Sequence, residues 1–171
     1  YVESSGSSEQ TPCDLGTYQP NSGQIFCLES SSGTYVSNTG SSSVSDCSEG
    51  TYQPNSGQGS CLVASPGHHV PGYASPEQTE CVLGTYQPNY GEASCLFASI
   101  GHYVDQTASV NQTSCPTGTS TNSTGSISIN DCYTDTDSDG VPDIIDPDDD
   151  NDGYLDVIDA FPLDQTEWED T

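Results

Sequence analysis

The segment Cys47-Ser48-Glu49-Gly50-Thr51-Tyr52-Gln53-Pro54-Asn55-Ser56-Gly57-Gln58-Gly59-Ser60-Cys61 is one statement of a phrase that recurs as Cys13 to Cys27 and as Cys81 to Cys95. Beneath it lies a shorter period: Gly16, Gly33, Gly50, Gly67, Gly84, Gly101 and Gly118 stand 17 residues apart. Tyr18, Tyr35, Tyr52, Tyr86 and Tyr103 keep the same step, and His69 fills the remaining place. A fixed internal period of this size marks a repeat array in which each unit leans mainly on its neighbours.

With repeats starting at 13, 30, 47, 64, 81, 98 and 115, the first position reads Cys13, Ser30, Cys47, Ala64, Cys81, Ala98, Cys115. Fourteen residues into each repeat stand Cys27, Val44, Cys61, Gln78, Cys95, Gln112 and Ile129. The two cysteines of a repeat vanish together in repeats two, four and six, as bonded partners would. This predicts Cys13 with Cys27, Cys47 with Cys61, Cys81 with Cys95, and the remaining Cys115 with Cys132. The alternative chain of Cys27 with Cys47, Cys61 with Cys81 and Cys95 with Cys115 strands both end cysteines, and sequence by itself leaves both schemes open.

Within a Cys-bearing repeat, Gly-Thr-Tyr-Gln reads as a short extended run. Pro-Asn-Ser-Gly reads as a turn, with Pro pre-setting its backbone angle and Asn or Gly accepting positive φ. A small disulfide-closed hairpin results. Closing a loop of about 15 residues stabilises by roughly 3 kcal/mol in the chain-entropy model. Cys-free repeats must borrow rigidity from both neighbours, and the in-register tyrosines are candidates for an aromatic ladder along one face.

Composition agrees with this economy. The 171 residues are 30% hydrophobic, with 8 Cys, 17 Gly and 11 Pro, so a large apolar core is not expected. Regularly spaced cysteines in such a chain point to disulfides and an oxidising, extracellular or cell-surface setting. The net charge is -26 with no Lys or Arg, which excludes attraction to nucleic acid or anionic lipid as a main activity and makes cations the expected partners. No stretch reaches the roughly 18 apolar residues of a membrane span. Tyr1-Val2 with Gly6-Ser7-Ser8 matches Tyr35-Val36 with Gly40-Ser41-Ser42, so residues 1–12 read as the end of a preceding repeat.

The pattern Cys-x-x-Gly-Thr-Tyr followed by Gly-x-x-x-Cys resembles the cysteine-rich repeats of ephrin-receptor-like extracellular proteins, which are distantly similar to tumour-necrosis-factor-receptor modules. The resemblance covers about residues 13–131. It departs from those families after the closing cysteine, where they carry a second Cys at Cys-x-x-Cys. This chain has Cys27-Leu28-Glu29-Ser30, Cys61-Leu62-Val63-Ala64 and Cys95-Leu96-Phe97-Ala98 there. The resemblance implies an elongated extracellular rod and no particular ligand.

Beyond Cys132 the chemistry changes. Asp135-Thr136-Asp137-Ser138-Asp139-Gly140-Val141-Pro142-Asp143-Ile144-Ile145-Asp146 spells D-x-D-x-D-G-x-x-D-x-x-D. Thirteen residues later Asp148-Asp149-Asp150-Asn151-Asp152-Gly153-Tyr154-Leu155-Asp156-Val157-Ile158-Asp159 repeats it. Carboxylates at positions 1, 3 and 5 can wrap one hard cation, Gly at 6 permits a sharp bend, and position 7 (Val141, Tyr154) can offer its carbonyl. Oxygen-only ligands of this number predict Ca2+. Asp143 and Asp146 are expected to complete the first site, and Asp156 and Asp159 the second, directly or through water.

Unlike an EF-hand, the loops lack flanking amphipathic helices, and Pro142 and Pro147 interrupt them. The pattern over 135–164, with the coda Asp159-Ala160-Phe161-Pro162-Leu163-Asp164, is similar to thrombospondin type 3 repeats. A merely solvated acidic tail would not need Val141, Ile144 and Ile145 to recur as Tyr154, Val157 and Ile158, and these are expected to collapse around bound metal. Phe161, Leu163 and Trp168 are candidates to pack on the last loop or the next module. Asp170-Thr171 reads as the start of another loop.

The three histidines, His68, His69 and His102, could form a metal site, but they occupy places that hold Thr or Tyr in other repeats. Zinc on the cysteines is disfavoured by the absence of any Cys-x-x-Cys pair. Asn111-Gln112-Thr113 and Asn122-Ser123-Thr124 are glycosylation sequons at Asn111 and Asn122, and the Ser/Thr-rich stretches 37–45 and 117–126 suit O-linked sugar.

The expected fold is therefore a small, disulfide-rich, mostly β or irregular repeat rod with little helix over 13–131. Calcium-stabilised irregular loops follow over 132–171. The expected function is that of an extracellular structural protein, a stalk, spacer or filament subunit that assembles with copies of itself head to tail. The alternatives are an adhesin or receptor-like arm for a glycan or surface protein, and the non-catalytic appendage of a secreted enzyme. No catalytic constellation is present in the sequence.

Overall fold

The computed structural model describes residues 11–166, so the expectations for Tyr1-Val2, Gly6-Ser7-Ser8, Trp168 and Asp170-Thr171 lie outside the described residues. Almost all regular structure is two-stranded antiparallel hairpin. β1 (Thr17–Tyr18) pairs with β2 (Leu28–Glu29), β3 (Thr34–Tyr35) with β4 (Ser45–Asp46), β5 (Thr51–Tyr52) with β6 (Leu62–Val63), and β7 (His68–His69) with β8 (Thr79–Glu80). β9 (Thr85–Tyr86) pairs with β10 (Leu96–Phe97), β11 (His102–Tyr103) with β12 (Thr113–Ser114), and β13 (Thr119–Thr121) with β14 (Cys132–Thr134). The expected mostly β and irregular, disulfide-rich repeat fold with little helix is the fold observed. Its one described helical element is a single 3-10 turn, Ile129–Asp131.

That turn explains where the period fails. A 17-residue step from Thr113, the start of β12, leads to Asn130, yet β14 begins at Cys132. The extra residues are taken up in the turn, which is capped at both ends. Asn130 N–H donates to the Ser128 hydroxyl at 3.1 Å, and the Asp131 carboxylate accepts from the Ile127 and Ser128 amides at 2.9 and 3.0 Å.

The described residues form two compact units, one of residues up to Glu80 with Asn89–Cys95, the other of Cys81–Pro88 with Leu96 onward. In the first, hairpins are tied by backbone bonds at constant offsets. Gly16, Gly33 and Gly50 N–H donate to Val36, Gln53 and Val70 carbonyls at 2.9, 2.7 and 2.9 Å. Gly40, Gly57, Ala74 and Gly91 N–H donate to Cys13, Ser30, Cys47 and Ala64 carbonyls at 2.7 to 2.9 Å. The second unit repeats the scheme with Gly84 to Val104, Ala108 to Cys81 and Gly125 to Ala98, each at 2.8 Å.

Repeats also meet their next-but-one neighbours. Gly50, at φ +75, lies so close to the Gly91 carbonyl that a Cβ would collide with it. Gly16 meets Gly57, Gly33 meets Ala74 and, in the second unit, Gly84 meets Gly125 in the same way. Cys-bearing repeats thus touch Cys-bearing repeats and Cys-free ones touch Cys-free ones, which makes 34 residues the working period.

The core is correspondingly thin. The first position of repeats one to six is buried whether it holds Cys13, Cys47 and Cys81 or Ser30, Ala64 and Ala98. The seventh position of repeats two to six is buried too, alternating between Gln53 or Gln87 and Val36, Val70 or Val104. Gln53 is accommodated because Nε2 donates to the Ser60 carbonyl at 2.8 Å and Oε1 accepts from Asn55 N–H at 3.1 Å. Burying an amide is tolerable only when it is bonded in this way.

Cys13 is bonded to Cys27, Cys47 to Cys61 and Cys115 to Cys132, each with Cα atoms 5.8 Å apart. Cys81 and Cys95 are also disulfide-bonded, and no cysteine is free. The alternative chain beginning with Cys27 to Cys47 does not form. The Cys-free fourth and sixth repeats carry a hydrogen-bonded clasp instead, from the place of the second cysteine to the residue after the place of the first: Gln78 Oε1 accepts from Ser65 N–H and Ser65 Oγ, both at 2.9 Å, and Gln112 Oε1 accepts from Ser99 N–H at 2.7 Å. Rigidity there comes from within the repeat as well as from neighbours.

Candidate metal centre

Residues 135–166 contain no strand or helix, and their shape comes from repeated side-chain-to-backbone turns. Asp139 N–H donates to Asp137 Oδ1 at 3.0 Å and Val141 N–H to Asp139 Oδ1 at 2.7 Å. In the second loop Asp152 N–H donates to Asp150 Oδ1 at 3.1 Å and Tyr154 N–H to Asp152 Oδ1 at 2.7 Å. Backbone conformation repeats with them: Ser138 and Asn151 lie at φ 64 and 58, and Gly140 and Gly153 at φ 98 and 97. Such a left-handed position suits Gly or Asn and is unusual for Ser.

With one oxygen of each carboxylate held by backbone, the other is turned inward. In each triad, Asp135, Asp137 and Asp139, and Asp148, Asp150 and Asp152, one carboxylate oxygen per residue lies within 4.8 Å of the others. Asp135 Oδ1, Asp137 Oδ2, Asp148 Oδ1, Asp150 Oδ2 and Asp152 Oδ2 are buried with no hydrogen-bond partner, as is Asp159 Oδ2. Asp135 and Asp150 are only 4% and 3% exposed. Unpaired buried anions facing one another are strongly unfavourable unless a cation sits among them. The donor set therefore fits a metal ion in each loop, and its all-oxygen chemistry fits a hard one.

The electrostatics agree. Burial first, and then the charges of Asp137 and Asp139, raise the Asp135 carboxyl above its ordinary range. Burial, followed by Asp152, Asp159 and Asp148, does the same for Asp150. Asp149 is pushed up to about 6 by burial and by the charges of Asp156, Asp143, Asp146 and Asp150. Asp164 moves the other way, its carboxylate accepting from the Thr166 hydroxyl at 2.7 Å.

The remaining expected ligands divide. Asp159 has one oxygen buried without a partner, its charge bears on Asp150 of the second cluster, and its other oxygen accepts from Phe161 N–H at 2.9 Å. Asp146 accepts from Asp148 N–H at 3.1 Å. Asp143 gives both oxygens to Thr136, from its amide at 2.8 Å and its hydroxyl at 2.9 Å, and Asp156 accepts from Asp149 N–H at 2.9 Å. In this structure Asp143 and Asp156 close the loops.

The apolar residues of the loops face outward instead of collapsing inward, which corrects the expectation for them. Val157 is 87% exposed, Ile158 69% and Ile144 66%, and Val141, Ile145, Tyr154, Phe161 and Leu163 are exposed too. Asp135 and Asp150 take the buried positions of the loops instead. Pro142, read as a chain interruption, is by contrast fully buried.

The histidines are not brought together. His68 Nδ1 and His102 Nδ1 each lie 3.2 Å from a carbonyl two residues back, of Pro66 and Ile100. His69 Nδ1 lies 3.2 Å from Cys95 Sγ, a disulfide sulfur with no thiolate to offer a metal. Asn111 and Asn122 are exposed, as are Thr113 and Thr124 of their sequons. Among the described residues no helix is long and apolar enough to cross a membrane.

Residues 1–47 match the family described as tyrosine-protein kinase ephrin type A/B receptor-like. The described hairpins within the matched residues, β1 to β4, share their register with β5 to β12. No curated protein matches the chain.

Proposed function

We propose that this chain is a structural segment of an extracellular protein, a stalk, spacer or filament subunit in which disulfide-stapled repeats are continued by calcium-binding loops. The observation that carries the reading is the run of repeat-to-repeat backbone bonds at constant offsets, since an array of this kind transmits position along the chain without a large core. Multiple disulfides and the ephrin-receptor-like segment support an extracellular setting.

Calcium is the ion of choice for loops of the thrombospondin type 3 kind, where carboxylates dominate a flexible oxygen cage. Asp135, Asp137 and Asp139 hold one ion, and Asp148, Asp150, Asp152 and Asp159 the other. Two ions offset four of the 26 negative charges. The residues of this chain pre-bend the backbone and aim one oxygen each, and the ion neutralises them.

Electron microscopy of native material kept in calcium tests the assembly part. Regular filaments built by head-to-tail joints are expected, because a heterologous contact that does not close gives an open fibre. Particles that stay single at high concentration would sink self-assembly and leave a spacer. An adhesive or receptor-like arm is the second reading, favoured by Tyr73 and Tyr90, each 68% exposed. Tyr86 and Tyr103 are half-buried in their hairpins and are the poorer candidates for a glycan or protein partner. Attachment to a secreted enzyme is the third.

A further inference from the structure

The seventh repeat departs from the others at one place. Where earlier repeats hold Tyr18, Tyr35, Tyr52, His69, Tyr86 and Tyr103, it holds Ser120. Ser120 is 2% exposed, and its hydroxyl donates to the carbonyl of Gly140 at 3.0 Å. Gly140 is the bend of the first aspartate loop, directly after Asp139.

Two further bonds tie the same loop to the same hairpin. Asp135 N–H donates to the Gly118 carbonyl at 3.0 Å, and Asp143 N–H donates to the Thr134 carbonyl at 2.9 Å. The loop is thus held at its start, bend and end by β13, β14 and the turn before them. The second loop is attached differently, with Asp156 N–H donating to the Pro147 carbonyl at 3.0 Å. Asp135, 4% exposed with an unpartnered inward oxygen, belongs to the loop that Ser120 holds.

We propose that Ser120 is a positioning residue for the first metal loop, through which ion binding and the order of the seventh repeat are coupled. This rests on the calcium reading. An ion that requires the loop's bent form stabilises every bond that form makes, and by reciprocity an ordered β13–β14 hairpin raises affinity for the ion. The coupling is local: the second loop, which does not touch Ser120, is outside it.

The experiment has two arms on the whole chain. Amide hydrogen exchange with and without calcium chloride reads the unaltered protein, and calcium is expected to slow exchange across Gly118–Thr121 as well as in the loop. Calorimetric titration with calcium then compares variants in a D150N/D152N background, where only the first loop remains intact. Ser120→Ala is expected to weaken binding about five-fold, the order of one lost hydrogen bond, and Ser120→Thr, which keeps a hydroxyl, to stay within about two-fold. Exchange across Gly118–Thr121 that ignores calcium overturns the coupling, as does unchanged affinity in Ser120→Ala, or a Ser120→Thr that binds as weakly as Ser120→Ala. Absence of saturable calcium binding by the unaltered chain overturns the calcium reading itself, and the coupling with it.

Discussion

The repeats and the aspartate loops are both poor in apolar core and are held by opposite means. In the repeats, polar groups find their partners inside the chain: Gln53 closes on Ser60 and Asn55, Gln78 on Ser65, and the head glycines on carbonyls of the next repeat. In the loops Asp137, Asp148, Asp150, Asp152 and Asp159 each spend one oxygen on the backbone and leave the other buried and unpaired. A segment of the first kind is complete as a polypeptide, whereas one of the second kind is complete only with a cation.

The sharpest way to break this comparison is to remove divalent ions. Chelation is expected to destabilise 135–164, read as reduced amide protection there, while β1 to β12 keep theirs. Equal loss in both regions would show that the repeats need the ion too. Acid sharpens the same test. Asp149 releases its proton at about 6 when folded, against an ordinary 3.8. Between those values the folded form holds more protons, so the calcium-free loops lose stability as pH rises through that window and regain it as pH falls. Calcium affinity, which requires deprotonated carboxylates, moves the other way, and titrations at pH 5 and 7 separate the two.

Opening a staple is the converse perturbation. The double variant Cys47→Ala with Cys61→Ala is expected to cost the repeats roughly 3 kcal/mol in urea unfolding, the value for a loop of this size, and to leave calcium binding intact. Cys-free repeats respond less. Gln78→Ala leaves the Ser65 amide without its acceptor and is expected to cost about 1–2 kcal/mol. Replacing Ala64 and Gln78 together by cysteine is expected to give a disulfide detectable by mass spectrometry, since the equivalent positions of Cys-bearing repeats lie 5.8 Å apart.

The smallest effect concerns backbone strain. Ala74 lies at φ 52 in a place that Gly40, Gly57 and Gly91 hold in other repeats. Ala74→Gly is expected to stabilise by about 0.5–1 kcal/mol, relief of the left-handed conformation being partly offset by greater freedom of the unfolded chain.

Much of this molecule is legible in its sequence because its interactions are local and repeated. The 17-residue step of Gly and Tyr located every hairpin through β12, and joint loss of cysteines pointed to pairs such as Cys13 with Cys27 that the structure bonds. Alternating aspartates located both clusters, because carboxylates two residues apart in a tight turn can reach one point whatever surrounds them. The 34-residue alternation of Gln53 and Gln87 with Val36, Val70 and Val104 is visible in hindsight, but nothing local marks a glutamine as a core residue.

Tertiary structure decided what depends on neighbours distant in the chain. It set Gly50 against Gly91, turned Val157 and Ile158 outward, and made Ser120 the seat of Gly140. Spacing in a sequence states which groups can meet within one turn. Which of two oxygens points inward, and which face of a loop meets water, are fixed only when the rest of the chain has taken up its space.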